Sequence, residues 1–63
     1  MRLQDLIDVV ETVEVDTYLC IGKKIVSLCH PYGDMDDWRE YGDMVVENIF
    51  VAEDYIEITL EGA

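Results

Sequence analysis

The sequence predicts an α+β fold, with an N-terminal helix packed on an antiparallel sheet of two hairpins (about four strands) and a short helix between the hairpins. Three observations predict it. Apolar residues near the start recur at helical spacing, two later stretches alternate apolar and polar residues about a central turn, and a Pro-containing break separates those stretches. At 63 residues the chain makes one domain, 1–63. A domain of this size buries only about 60% of its unfolded surface, which leaves its stability small and makes partner binding or dimerisation useful to it.

The first element rests on Leu3, Leu6, Ile7 and Val10, which follow i, i+3, i+4, i+7, with Gln4, Asp5, Asp8 and Glu11 on the opposite side. The period then becomes two. Val13, Val15, Leu19 and Ile21 point one way, and Glu14, Asp16, Tyr18 and Cys20 the other, as in a half-buried strand. Gly22 readily takes φ > 0, so Gly22 and Lys23 suit a two-residue hairpin turn of type II′. That turn sets Leu19 against Val26 and Thr17 against Leu28, keeping one face apolar.

His30, Pro31, Tyr32 and Gly33 break the second strand, because proline removes a ladder donor and biases its predecessor away from helix. Asp34 then caps a short helix, with Asp36 and Asp37 in its first turn at the positive end of the dipole. Met35, Trp38 and Tyr41 recur along it, and Gly42 with Asp43 ends it. From Val45 the period is two again. A turn at Glu53 and Asp54 sets Val51 against Ile56 and Ile49 against Ile58. The expected core is Leu3, Leu6, Ile7, Val10, Leu19, Ile21, Val26, Leu28, Ile49, Val51, Ile56 and Ile58.

Charge is distributed very unequally. Of 15 carboxylates, those of residues 34–63 face a single basic residue, Arg39, so the net charge of −11 resides mostly in the second half. Such a field repels nucleic acid, anionic membranes and phosphorylated substrates, and it speeds encounter with a basic surface. No apolar run approaches the roughly 20 residues that span a bilayer, and Met1–Asp5 lacks signal-peptide character, so a cytoplasmic protein is expected.

The residue types and their spacing constrain several chemistries. Asp34, Asp36 and Asp37 resemble the start of a calcium loop, but its fifth and sixth positions would be Trp38 and Arg39 where an oxygen ligand and glycine are needed. Cys20, Cys29 and His30 are one ligand short of a structural zinc site, and Cys29 and His30 face opposite ways on a strand. The predicted register also separates Cys20 from Cys29 by about 13 Å, beyond disulfide reach. Carboxylate pairs such as Asp37 and Glu40 need a dry pocket to act as acid and base, and a chain this short encloses little volume. The expectation is therefore of no enzyme activity, no metal and no cofactor.

The arrangement that points to a function is aromatic residues among carboxylates. Asp34, Asp36, Asp37, Trp38, Glu40, Tyr41, Asp43 and Glu47 form the candidate partner-binding set, since aromatics carry interface energy and charge orients the approach. Trp38 has a second reading, as cover for one end of a small core. Carboxylates spaced along a helix and strands can also stand in for duplex phosphates on a protein that binds nucleic acid.

The succession of Met1–Val10, a glycine-turn hairpin, Val45–Val51 and Glu53–Leu60 resembles, in pattern and composition, the small acidic proteins of phages and prophages. Among these are anti-CRISPR proteins, several of which look like DNA mimics. The resemblance implies an inhibitor that binds a basic nucleic-acid-handling protein, such as a CRISPR effector, in the cytoplasm of a bacterial host, with no direct binding to nucleic acid. The alternative is a structural or regulatory accessory module, able to act as a homodimer, whose acidic surface serves solubility.

Overall fold

The structure, a computed structural model, describes residues 1–10, 12–31 and 36–62, without the side chains of Asp36 and Asp37. Helix α1 (Gln4–Val10) is followed by strands β1 (Asp16–Ile21), β2 (Lys24–Cys29), β3 (Val46–Val51) and β4 (Tyr55–Leu60). The backbone N–H of Arg2 donates to Asp5 Oδ2 at 3.1 Å, which is half of a capping box at the start of α1. Val9, Val10, Thr12 and Val13 then disfavour further helix, and the Thr12 hydroxyl donates to the Val9 carbonyl at 2.7 Å.

Both hairpins form where the turn residues place them. Gly22 has φ 61°, as a turn with glycine at its first central position requires. The second closes around Glu53 and Asp54, with the Ala52 N–H donating to the Tyr55 carbonyl at 2.9 Å, and it sets Ile49 opposite Ile58 and Val51 opposite Ile56.

The sheet itself departs from the antiparallel arrangement. Its order is β2-β1-β4-β3, and the central strands β1 and β4 run parallel, from Asp16 opposite Tyr55 to Ile21 opposite Leu60. The sheet is therefore mixed. The cause is the long connection after β2, which passes from one edge of the sheet to the other and lays β3 at the far side. On the way it tucks Trp38 into the core beside Leu3, Ile7 and Val10. The expected helix between the hairpins is also corrected. Among the described residues that connection holds one four-residue helical turn, Asp36–Arg39, and the predicted cap Asp34 lies outside them.

Two bulges alter the register. Leu19 lies opposite Ser27 and Cys20 opposite Ile25, leaving Val26 as the extra residue, so everything beyond it in β2 shifts by one. Thr17 consequently faces Cys29 and not Leu28. Cys29 enters the core, while Leu28 turns to the other face and is 40% exposed. Glu47 is the second extra residue, between Val46 opposite Leu60 and Asn48 opposite Thr59.

The core contains Leu3, Ile7, Val10, Leu19, Cys29, Trp38, Ile58 and Leu60, with Leu6, Ile21, Val26, Tyr41, Met44, Val46 and Ile56 packed against it. Ile49 and Val51 were expected there. They share the face of Ile58 and Ile56 but are 42% and 68% exposed. The reason is reach. The axes of the two edge strands are about 14 Å apart, and a single short helix about 10 Å across cannot cover the whole sheet; the core takes in Cys29 of β2 and only Val46 of β3 packs against it. Trp38 fills the remaining space near α1, and the rest of β3 lies beyond both.

Candidate functional site

The residues expected to bind a partner do not share one environment. Trp38 is 1% exposed, an anchor of the core, and its indole N–H has no acceptor among the described residues. Tyr41 is half-buried against the same core. Glu40, Asp43 and Glu47 are exposed, Glu40 and Asp43 beside the chain's N-terminal end and Glu47 at the bulge of β3. Asp43 lies 4.0 Å from Arg2 in an ion pair open to solvent. Asp34 lies outside the described residues, and Asp36 and Asp37 are placed only as backbone, at the start of the helical turn.

Backbone bonds fix the position of this acidic shoulder. The N–H of Leu3 donates to the Met44 carbonyl, that of Gln4 to Gly42, and that of Val46 to Met1, so the N-terminal residues lie beside the entry to β3. Gly42 lets the two segments approach closely at this crossing. A Cβ there would stand 3.2 Å from the Arg39 carbonyl oxygen and 3.5 Å from Gln4 Cβ. The rest of the β3 edge, Glu47–Val51, is exposed.

Sequence reasoning assigned the polar faces of the strands to solvent and missed what they assemble. On the face away from α1, Tyr18 of β1 and Tyr55 of β4 meet edge to face, with centroids 5.7 Å apart and planes at 86°. Phe50 of β3 lies 6.2 Å from Tyr55, tilted by 41°. Glu57 stands opposite Tyr18 on one side and Phe50 on the other. A shallow depression of ≈ 300 Å³ is lined by Tyr18, Ile25, Tyr55 and Glu57, which amounts to one carboxylate and no basic group. The available signal was the placement of aromatics at positions that alternate with the core residues.

Beneath this face, burial pushes the Cys20 thiol above its ordinary pKa, and the neighbouring Glu57 carboxylate pushes it further. The thiol is thus held protonated, the reverse of an activated nucleophile. Cys29 is on the α1 side of the sheet, and Cys20 and Cys29 are not joined by a disulfide. At the lower end of the sheet, His30 Nδ1 lies 2.9 Å from Asp16 Oδ1. Among the described residues no three His, Cys, Asp or Glu side chains are grouped to hold a metal ion, and no helix is long and apolar enough to cross a membrane.

Comparisons with family models, curated proteins and solved structures find no match to this chain.

Proposed function

We propose that this chain is a phage-type acidic inhibitor, a non-enzymatic protein that binds a basic nucleic-acid-handling protein, such as a CRISPR effector, and blocks its nucleic-acid-binding surface in the bacterial cytoplasm. One observation carries the reading. From residue 40 onward there is no Lys, Arg or His, and Glu40, Asp43, Glu47, Glu53, Asp54 and Glu61 are all exposed. A stretch that bears carboxylates and no cation of its own, with Arg2 beside Asp43 the neighbouring exception, favours a surface built to hold phosphates.

The test is charge reversal in two places. Against a partner captured from a bacterial lysate, Glu40→Lys with Asp43→Lys should weaken binding at least about tenfold, or about 1.4 kcal/mol. Asp5→Lys with Asp8→Lys, on the exposed side of α1, should weaken it much less. Equal losses would mean that net charge alone governs binding.

A second reading, a homodimeric accessory module, is favoured by Ile49, Phe50 and Val51, exposed on edge strand β3. Pairing two β3 edges would set Glu47 and the Glu53–Asp54 turn of each copy near those of the other, so the charge opposes it. Sedimentation separates the two readings, since the inhibitor is expected to be monomeric until it meets its partner.

A further inference from the structure

We propose that the depression between Tyr18, Tyr55 and Glu57 on the open face of the sheet receives an arginine side chain of the partner. The inference takes from the proposed function only the basic character of the partner.

The depression has the two components that guanidinium recognition needs. Tyr18 and Tyr55, perpendicular at 5.7 Å, offer an aromatic face and an edge at right angles to it, with Phe50 extending the aromatic surface beyond Tyr55. A cation within about 6 Å of such a ring centroid is attracted by its quadrupole. Glu57 supplies the counter-charge. It is half-buried, takes no part in the ion pairs of Arg2 with Asp43 or of His30 with Asp16, and has the Cys20 thiol as a neutral hydrogen-bond neighbour, which leaves its charge uncompensated by these groups.

Its place in the sheet explains why a cation is the fitting occupant. Glu57 is on a central strand, flanked by Tyr18 on β1 and Phe50 on β3, so apolar rings limit its access to water from both sides. A carboxylate so placed gains more from a counter-ion than one on the exposed turn at Glu53 and Asp54. Arginine suits the site better than lysine. Its planar group stacks on a ring while its fork pairs with a carboxylate, whereas the ammonium of lysine is more strongly hydrated and the depression is open to water. Ile25 gives the aliphatic stem an apolar wall.

The experiment titrates the protein, at moderate salt, with a short arginine-containing peptide and with the same peptide carrying lysine or citrulline, following backbone amide resonances. The arginine peptide should shift Tyr18, Tyr55 and Glu57 together, and should bind several-fold more tightly than the lysine peptide. Glu57→Gln and, independently, Tyr55→Leu should each weaken it about tenfold. Glu53→Gln, the same charge change at the turn, should weaken it less than about twofold. Equal affinity for arginine and lysine, or shifts centred on Glu40, Asp43 or Glu53, would overturn the proposal, as would a Glu57→Gln loss no greater than that of Glu53→Gln. The wild-type comparison of peptides stands even if a variant unfolds. Arginine binding at Glu57 with no competition between this chain and nucleic acid for any captured protein would retain this site and refute the inhibitor reading.

Discussion

Tyr18 and Tyr55 touch edge to face where β1 and β4 run side by side in the same direction, with Asp16 opposite Tyr55 and Tyr18 opposite Glu57. This one pairing makes the sheet mixed and brings aromatics from both hairpins onto its open face. It also leaves β3 at an edge that α1 does not cover.

That division of the sheet predicts a contrast in stability. Ile58→Ala should cost about 2–5 kcal/mol, because the side chain is fully enclosed. Ile49→Ala, its cross-strand neighbour, should cost less than about 1 kcal/mol, because much of that side chain is already in water. Urea unfolding measures both. Equal losses would place β3 inside the core.

The same contrast shows what the sequence made legible. Local periodicity identified α1, both turns and the Ile49–Ile58 register, because each depends on residues close in the chain. The β1–β4 pairing joins strands from different hairpins and is decided by how the connection carrying Trp38 crosses the sheet, for which there is no local signal. The bulge at Val26 was equally hidden, since placing Leu28 or Cys29 inward gives similar apolar patterns. At the candidate site, strict alternation from Val45 would put Glu47 on the face of Ile49 and Val51, and the bulge that takes it out of the ladder had no local signal. The contacts among Tyr18, Tyr55 and Glu57 required the strand order.

The two glycines with structural tasks should respond differently to substitution. Gly22→Ala should cost about 1–2 kcal/mol from its φ of 61° alone, since a Cβ there meets nothing within 4 Å, and Gly22→Asn distinctly less. Gly42→Ala should instead push on the Arg39 carbonyl and on Gln4, and Gly42→Asn should give no relief. Thermal melts of the four variants separate backbone strain from crowding.

Cys20 makes stability depend on alkaline pH. Its folded pKa is raised by burial first and by Glu57 second, so the folded state holds the thiol proton more tightly than the unfolded chain does. The stabilisation is full below the unfolded value of about 8.5 and is lost as pH rises through the folded value. Stability measured by urea from pH 7 to 10 should fall over this range, and less steeply in Glu57→Gln. In native protein at pH 8, Cys20 should react with iodoacetamide much more slowly than it does in urea. Equal rates would contradict the assigned environment.

Binding through the acidic surface should be sensitive to salt. Above about 0.5 M the Debye length falls to roughly 4 Å, and affinity for a captured partner should drop steeply. Affinity unchanged across that range would shift the main contact to the aromatic face.

The central claim is that this chain and nucleic acid compete for one surface, and the most direct measurement is titration of a captured nucleic-acid-binding partner with labelled duplex DNA or its guide RNA in the presence of the chain. Mutually exclusive binding is predicted, with the apparent affinity for nucleic acid falling in proportion to the concentration of the chain. A ternary complex of partner, nucleic acid and this chain, formed without loss of affinity, would contradict it.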